Sequence, residues 1–243
     1  MRILAIETSA EQCSVALADA NDVALRRQAA GHGVAERALS MIADLLASRS
    51  VTLRQIDAFA FASGPGAFTG LRVACGLVQG LAYACDRPVV PVGSLRALAC
   101  CASRPLERTV PGGARATPRV MVAIDARMNQ IYWAVYEGEH AARELAAPAL
   151  GTPAQMAALV AQWQPDAIAG DALRVFQGAW PVAGSQARLP ELRADASVIA
   201  ELAGADLARG LAVAARDAAP QYVRDQVALT VAQRAQGERG GAA

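Results

Sequence analysis

Near the start of the chain, apolar residues alternate with small or polar ones in runs too short for helices. RILAIET (2–8), CSVALA (13–18) and DVALRRQ (22–28) predict three strands, with turn chemistry at 9–11 and at Ala20-Asn21, so the chain opens on an antiparallel meander. The period then lengthens. In VAERALSMIADLLASRS (34–50), Leu39, Ile42, Leu45 and Leu46 share one helical face while Glu36, Arg37, Asp44 and Arg49 fall largely elsewhere, which predicts an amphipathic helix. IDAFAFAS (56–63) predicts a buried strand, GPGAFTG a loop, 71–85 a second helix, PVVPV a strand and GSLRALACCA a third helix. The order is βββαβαβα.

SRPLERTVPGGARATP (103–118) is rich in Pro, Gly and Arg and lacks apolar periodicity, so 104–118 is read as a loop joining an N-terminal lobe (1–103) to a C-terminal lobe (119–225). The grammar then restarts. RVMVAIDA (119–126) and QIYWAVYE (130–137) predict strands, TPAQMAALVAQW (152–163) a helix opened by Thr152 and Pro153, and DAIAGD (166–171) another strand. DASVIAELAGADLARG (195–210) predicts a helix, APQYVRD (219–225) a candidate closing strand, and 226–243 a frayed terminus. LAIET (4–8) resembles VAIDA (122–126), and IDAFA (56–60) resembles PDAIAG (165–170). These echoes fit either an internal duplication or two unrelated αβ units. Duplication implies an α/β fold of two lobes, each a mixed sheet with flanking helices, facing one another across a cleft as in actin-like proteins.

Composition narrows the chemistry. The chain has 243 residues, 54% of them hydrophobic, enough for a substantial core. It has no run of eighteen uncharged apolar residues and no signal-peptide order at its start, so a cytoplasmic location is expected. Lys and Arg total 23 against 22 Asp and Glu, a net charge of +1, which argues against strong independent RNA binding. Every basic residue is Arg. Without lysine there is no Schiff base and no phosphate-loop lysine. Five cysteines lack paired spacings and lie mostly in apolar runs, as reduced buried thiols do, and two isolated histidines, His32 and His140, offer no metal motif.

The sharpest local feature is SGPGAFTGLR (63–72). Gly64 and Gly66 allow backbone angles closed to other residues, and Thr69 is a candidate N-cap for a helix with Arg72 in its first turn. The block is either an anion or nucleotide site at a helix N-terminus, assisted by Arg72, or a tight strand-to-helix connection. The helix after it is apolar nearly all round, with Gly76 and Gly80 one turn apart, and is either buried by its own chain or covered by a partner. Glu7 and Asp125 end apolar strands, where carboxylates can meet a metal-bound nucleotide. The adjoining Thr8-Ser9-Ala10 and Ala126-Arg127 lack the glycines for a phosphate cradle, so strand-end capping is the other reading. Ser63, Ser94 or a cysteine could act as a nucleophile only beside a base, and no G-x-S-x-G pattern is present.

MRILAIETSAEQCSVAL, SGPGAFTGLRVACGLVQGLA, AIDARMNQIYWAVY and PQYVRD, in this order, resemble the TsaB (YeaZ) family of tRNA threonylcarbamoyladenosine biosynthesis proteins. The resemblance implies an ASKHA-type, actin-like, ribonuclease H-like fold shared with a catalytic paralogue, TsaD. It implies a non-catalytic subunit working with TsaD and the ATPase TsaE, with tRNA bound only in the complex, and with ATP and a metal held by the partners and no cofactor on this chain. The paralogue's metal-binding histidine pair falls here at Ser94 and Leu98. The two N-lobe helices are implied to join those of TsaD in a bundle, with Leu39, Ile42, Leu46, Leu71, Gly76, Leu77 and Gly80 at the interface; alone, the same face could form a homodimer. Gly64, Gly66, Thr69, Arg72 and Arg127 are the candidate anion or nucleotide contacts. Two rival activities remain open, an ATP-dependent small-molecule phosphotransferase of the same fold and a residual M22-type peptidase.

Overall fold

The structure is a computed structural model that describes residues 1–20, 22–29, 31–109, 117–138, 141, 143–181 and 186–224. The opening meander is β1 (Arg2–Glu7), β2 (Gln12–Asp19) and β3 (Asp22–Ala29). Helix α1 (Val34–Ser48) leads to β4 (Ala58–Gly64), α2 (Phe68–Cys85), β5 (Val89–Gly93) and α3 (Ser94–Thr109). The second half runs β6 (Arg119–Asp125), β7 (Ile131–Glu137), β8 (Arg143–Gly151), α4 (Pro153–Trp163), β9 (Ala167–Ala169), α5 (Ala172–Val175), β10 (Ala187–Leu189) and α6 (Ala196–Ala208).

The two halves share one topology. The first sheet has the order β3-β2-β1-β4-β5 and the second β8-β7-β6-β9-β10. In each, the first three strands pair antiparallel and the last two extend the sheet in parallel. The LAIET and VAIDA echo therefore falls on β1 and β6, the central strands, and the second echo on β4 and β9. Duplicated architecture accounts for both.

Strand alternation builds the layers. In β4, Ala58, Ala60 and Ala62 face a central core, whereas Phe59 and Phe61 face the opposite side. In β6, Val120 and Val122 point inward, and Met121 and Ala123 outward. The central core holds α3 and α6 between the two sheets, through Leu95, Leu98, Ile199 and Leu202 among others. Outside it, α1 and α2 cover the first sheet with Met41, Ile42, Leu45 and Val78, and α4 and α5 cover the second with Met156, Val160 and Leu173. The stack is α/β/α/β/α.

Several expectations change. The candidate loop at 104–118 begins inside α3, which runs to Thr109, because Ser103 is buried and Leu106 packs on the central core. Residues 110–116 and the tail from 225 lie outside the described residues. Chain order also departs from packing order: α6 follows the second sheet in sequence but lies against β1 and β2 of the first. β8 and β10 were not anticipated. β8 is an alanine-rich edge strand interrupted by Pro148, tolerated where no outer partner needs its N–H, and β10 has only three residues. APQYVRD forms no strand in its described part.

Helices α3 and α6 are crosslinked by Arg96 Nη1 to Asp206 Oδ2 at 2.5 Å, with the Asp206 side chain 5% exposed. A second link, Arg104 to Glu201, lies at the surface. Removing one partner of a buried pair strands the other charge, whereas exposed pairs contribute little. Asp206→Asn is therefore expected to lower unfolding free energy by about 2–3 kcal/mol in urea denaturation, and Glu201→Gln by less than about 1 kcal/mol. Equal losses would remove the distinction.

Candidate functional site

The equivalent strand ends β1 and β6 face one another across a cleft of about 610 Å³. Its floor and walls include Glu7, Ser94, Leu95, Leu98, Ile124 and Asp125, and its mouth is bordered by Phe68, Tyr222 and Arg224. Most of the lining surface is apolar, with Glu7 buried at its base.

Glu7 is 3% exposed. The Ser9 hydroxyl donates to its Oε1 at 2.6 Å, and the Ser9 N–H donates to the same atom. Burial pushes the carboxyl up from 4.5 to about 7, and the Ser9 bonds, which favour the charged form, only partly offset it. Asp125 sits differently. Its Oδ1 accepts the Arg127 N–H at 2.8 Å and its Oδ2 lies 3.1 Å from Arg127 Nη1, while its own N–H donates to Asp171 Oδ1 at 2.9 Å. Both carboxylates thus hold the local backbone at their strand ends. The Arg127 side chain is paired with Asp125 and otherwise exposed.

The glycines of 64–70 have steric tasks. A Cβ on Gly64 would lie 2.5 Å from the Gln221 carbonyl oxygen, on Gly66 2.8 Å from Ser9 Cβ, and on Gly70 1.9 Å from the Thr8 carbonyl oxygen. Gly70 was not singled out from sequence, although FTG carried it; only Gly allows α2 to start against the end of β1, where the Thr8 hydroxyl donates to Gly70 O at 2.7 Å. The Ala67 N–H is taken by Ser9 O at 3.0 Å. Thr69 does not cap: α2 begins at Phe68 after Ala67, which offers no side-chain oxygen. Arg72 is engaged by its own chain, its guanidinium 3.8 Å over the Phe68 ring and its Nε donating to Tyr222 Oη at 3.1 Å. Within the chain the block makes a tight strand-to-helix connection, with Gly64 and Gly66 serving close approach.

The Ser63 and Ser94 hydroxyls have no hydrogen-bonded base. Burial raises the thiols of Cys13, Cys75, Cys100 and Cys101, the last up to about 12, away from the reactive thiolate. Among the described residues no three His, Cys, Asp or Glu side chains are grouped to hold a metal ion. Ser94 and Leu98, one turn apart on α3, both line the cleft, but a hydroxyl and an isobutyl group do not fit the role of an imidazole pair.

The helices α1 and α2 present a second candidate surface. Of the residues expected to meet a partner, Ile42 and Leu46 are buried in the core between α1, α2 and the first sheet, and Leu71 is buried beside Gly64 at the cleft. Leu39 remains 45% exposed, Gly76 and Gly80 have open space where a Cβ would stand, and Leu77 is half-buried. Tyr83, 81% exposed, extends this face and was missed by periodicity alone.

Two units of one topology, opposed across a cleft that receives the central strand of each, define the actin-like, ribonuclease H-like class of α/β proteins. The family described as "TsaD: tRNA N6-adenosine threonylcarbamoyltransferase" matches residues 28–233. The tRNA threonylcarbamoyladenosine biosynthesis protein TsaB of Escherichia coli K12 is 33% identical over 240 residues, 94% of this chain and 96% of the relative. The protein of that name in Haemophilus influenzae is 40% identical over 133 residues, 55% of this chain and 52% of the relative. The solved structure of YeaZ from Pseudomonas aeruginosa superposes with a TM-score of 0.78 at 37% identity, covering 91% of this chain and 99% of that one. The chain belongs to the TsaB (YeaZ) family of tRNA threonylcarbamoyladenosine biosynthesis proteins.

The Glu7 proton gives the cleft a pH signature. The folded chain holds this proton more tightly than the unfolded chain, so its stabilisation is full below pH 4.5 and is lost as pH rises through about 7. Glu7→Gln is expected to gain up to about 3 kcal/mol relative to the parent between pH 4.5 and pH 8 in paired urea titrations. A difference independent of pH would place the carboxyl in water.

Proposed function

We propose that this chain is a non-catalytic subunit in the formation of threonylcarbamoyladenosine in tRNA, docking through the exposed face of α1 and α2 onto the catalytic paralogue TsaD. The observation that carries this reading is the imbalance of α2. Among the described helices it is the one long and apolar enough to cross a membrane by length and composition, yet only 33% of its 18 residues are buried. Arg72 and Gln79 are turned to the C-terminal segment, so the open stripe of α2 is Gly76, Leu77, Gly80 and Tyr83, and the neighbouring α1 leaves Leu39 exposed. Absent Cβ atoms permit another helix to come close, and an exposed aromatic at the edge suits an interface.

Several features support the absence of chemistry on this chain. The glycine loop is filled by contacts within the chain, the thiols are raised, and Ser94 and Leu98 stand where the paralogue is expected to bind metal. ATP and metal then belong to TsaD and TsaE, tRNA is met only in the complex, and the setting is cytoplasmic. Without TsaD the same face can pair with a second copy about a twofold axis.

Purified with TsaD at micromolar concentration, the chain is expected to co-elute as a heterodimer. Gly76→Glu and Leu39→Glu should each weaken that complex at least about tenfold while retaining the parent's unfolding transition, since both positions face solvent in the free chain. Ile42→Glu should instead disrupt folding, because Ile42 lies in the core. Unaltered co-elution of both surface variants would sink the docking assignment.

A further inference from the structure

The motif PQYVR (220–224) has no task in the docking reading, and the structure lays it across the mouth of the cleft. Its approach is fixed on α2, where Gln79 Nε2 donates to the Ala218 carbonyl at 2.9 Å. The Gln221 N–H then donates to Ser63 O at 2.7 Å, just where Gly64 leaves room for it. Tyr222 rests against Phe68, with ring centroids 5.4 Å apart, and accepts the Arg72 hydrogen bond. All of these contacts belong to the first unit.

Two residues further on, Arg224 belongs to the second. Its Nη2 donates to Ala126 O at 2.9 Å and to Gln130 Oε1 at 2.6 Å, and its guanidinium lies 6.0 Å from the Tyr132 ring centroid. The turn that receives it is unusual. Arg127, Met128 and Asn129 all have positive φ, at 62°, 53° and 56°. Successive non-glycine residues in the left-handed region persist only where their surroundings over-determine them, and Arg224 supplies part of that restraint.

We propose that residues 219–224 are a releasable latch that ties the two units together at the cleft mouth and limits how far the cleft opens. The central α3 and α6 layer joins the units permanently through buried apolar contact. The latch instead holds through a backbone hydrogen bond, a tilted ring pair and a guanidinium, with Tyr222 still 45% exposed. Elements with few buried contacts open at low free energy while the fold stays intact. Cleft access and global stability are thereby separated.

Amide exchange on the full chain tests this. In Arg224→Ala, the Gln221 amide should exchange about tenfold faster or more, while the Val213 amide, bonded upstream to Val89 O at 2.8 Å, keeps its protection. Tyr222→Ala should give the same pattern from the other anchor. The dye anilinonaphthalene sulfonate should bind both variants with several-fold greater fluorescence, because apolar walls such as Leu95, Leu98 and Ile124 become accessible. The latch is overturned by unchanged Gln221 exchange in both variants, by Val213 accelerating in step with Gln221, or by unchanged dye fluorescence.

Discussion

Two helices lie between two sheets, and the rest of the molecule depends on that sandwich. A helix enclosed on both sides leaves only a narrow edge for polar residues and favours small side chains on the sheets that approach it. β4 meets this with Ala58, Ala60 and Ala62 inward and Phe59 and Phe61 outward, and α6 answers with ASVIAELAGADLA. The buried charge in that helix is Asp206, whose pairing with Arg96 offsets the cost of an isolated charge, while Glu201 reaches the surface. Because the same layer packs on both sheets, it also sets the distance between the strand ends that form the cleft.

Within the cleft, desolvation outweighs hydrogen bonding. Glu7 receives two hydrogen bonds from Ser9, and still burial holds its carboxyl far above the ordinary range. A carboxyl near neutrality can be a proton carrier in an enzyme. Here its bonds run to its own strand end, and the neighbouring loop is closed by Gly66 and Gly70 against Ser9 and Thr8. The duplicated scaffold is retained, and at the end of β1 the chain packs closely on itself.

The proposed docking falls on the surface that the fold leaves uncovered. α2 has one face inserted against the first sheet and another side held by Ala218 and Tyr222, which leaves the Gly76 and Gly80 stripe open. The C-terminal segment touches the same helix before crossing to the second unit. Cleft, helix face and strap are therefore physically adjacent rather than independent features.

Much of this was determined by the sequence alone. Period-2 and period-3.6 patterns set most strands and helices, the paired echoes marked the duplicated central strands, and the motif order identified the family, because these signals are local or are carried by residue identity. Other features rest on contacts between distant residues. Periodicity grouped Leu39 with Ile42 and Leu46, but Leu39 lies roughly 100° round from Ala38 at the margin of the buried arc, and only the sheet beneath decides which margin is covered. Thr69 lost its capping role once Gly70 met Thr8 and started the helix earlier. α3 outran its apolar pattern because Leu106 found the central core, α6 crossed to the first sheet, and PQYVR became a strap rather than a strand because Ser63, Phe68 and Gln130 come together only in the folded chain.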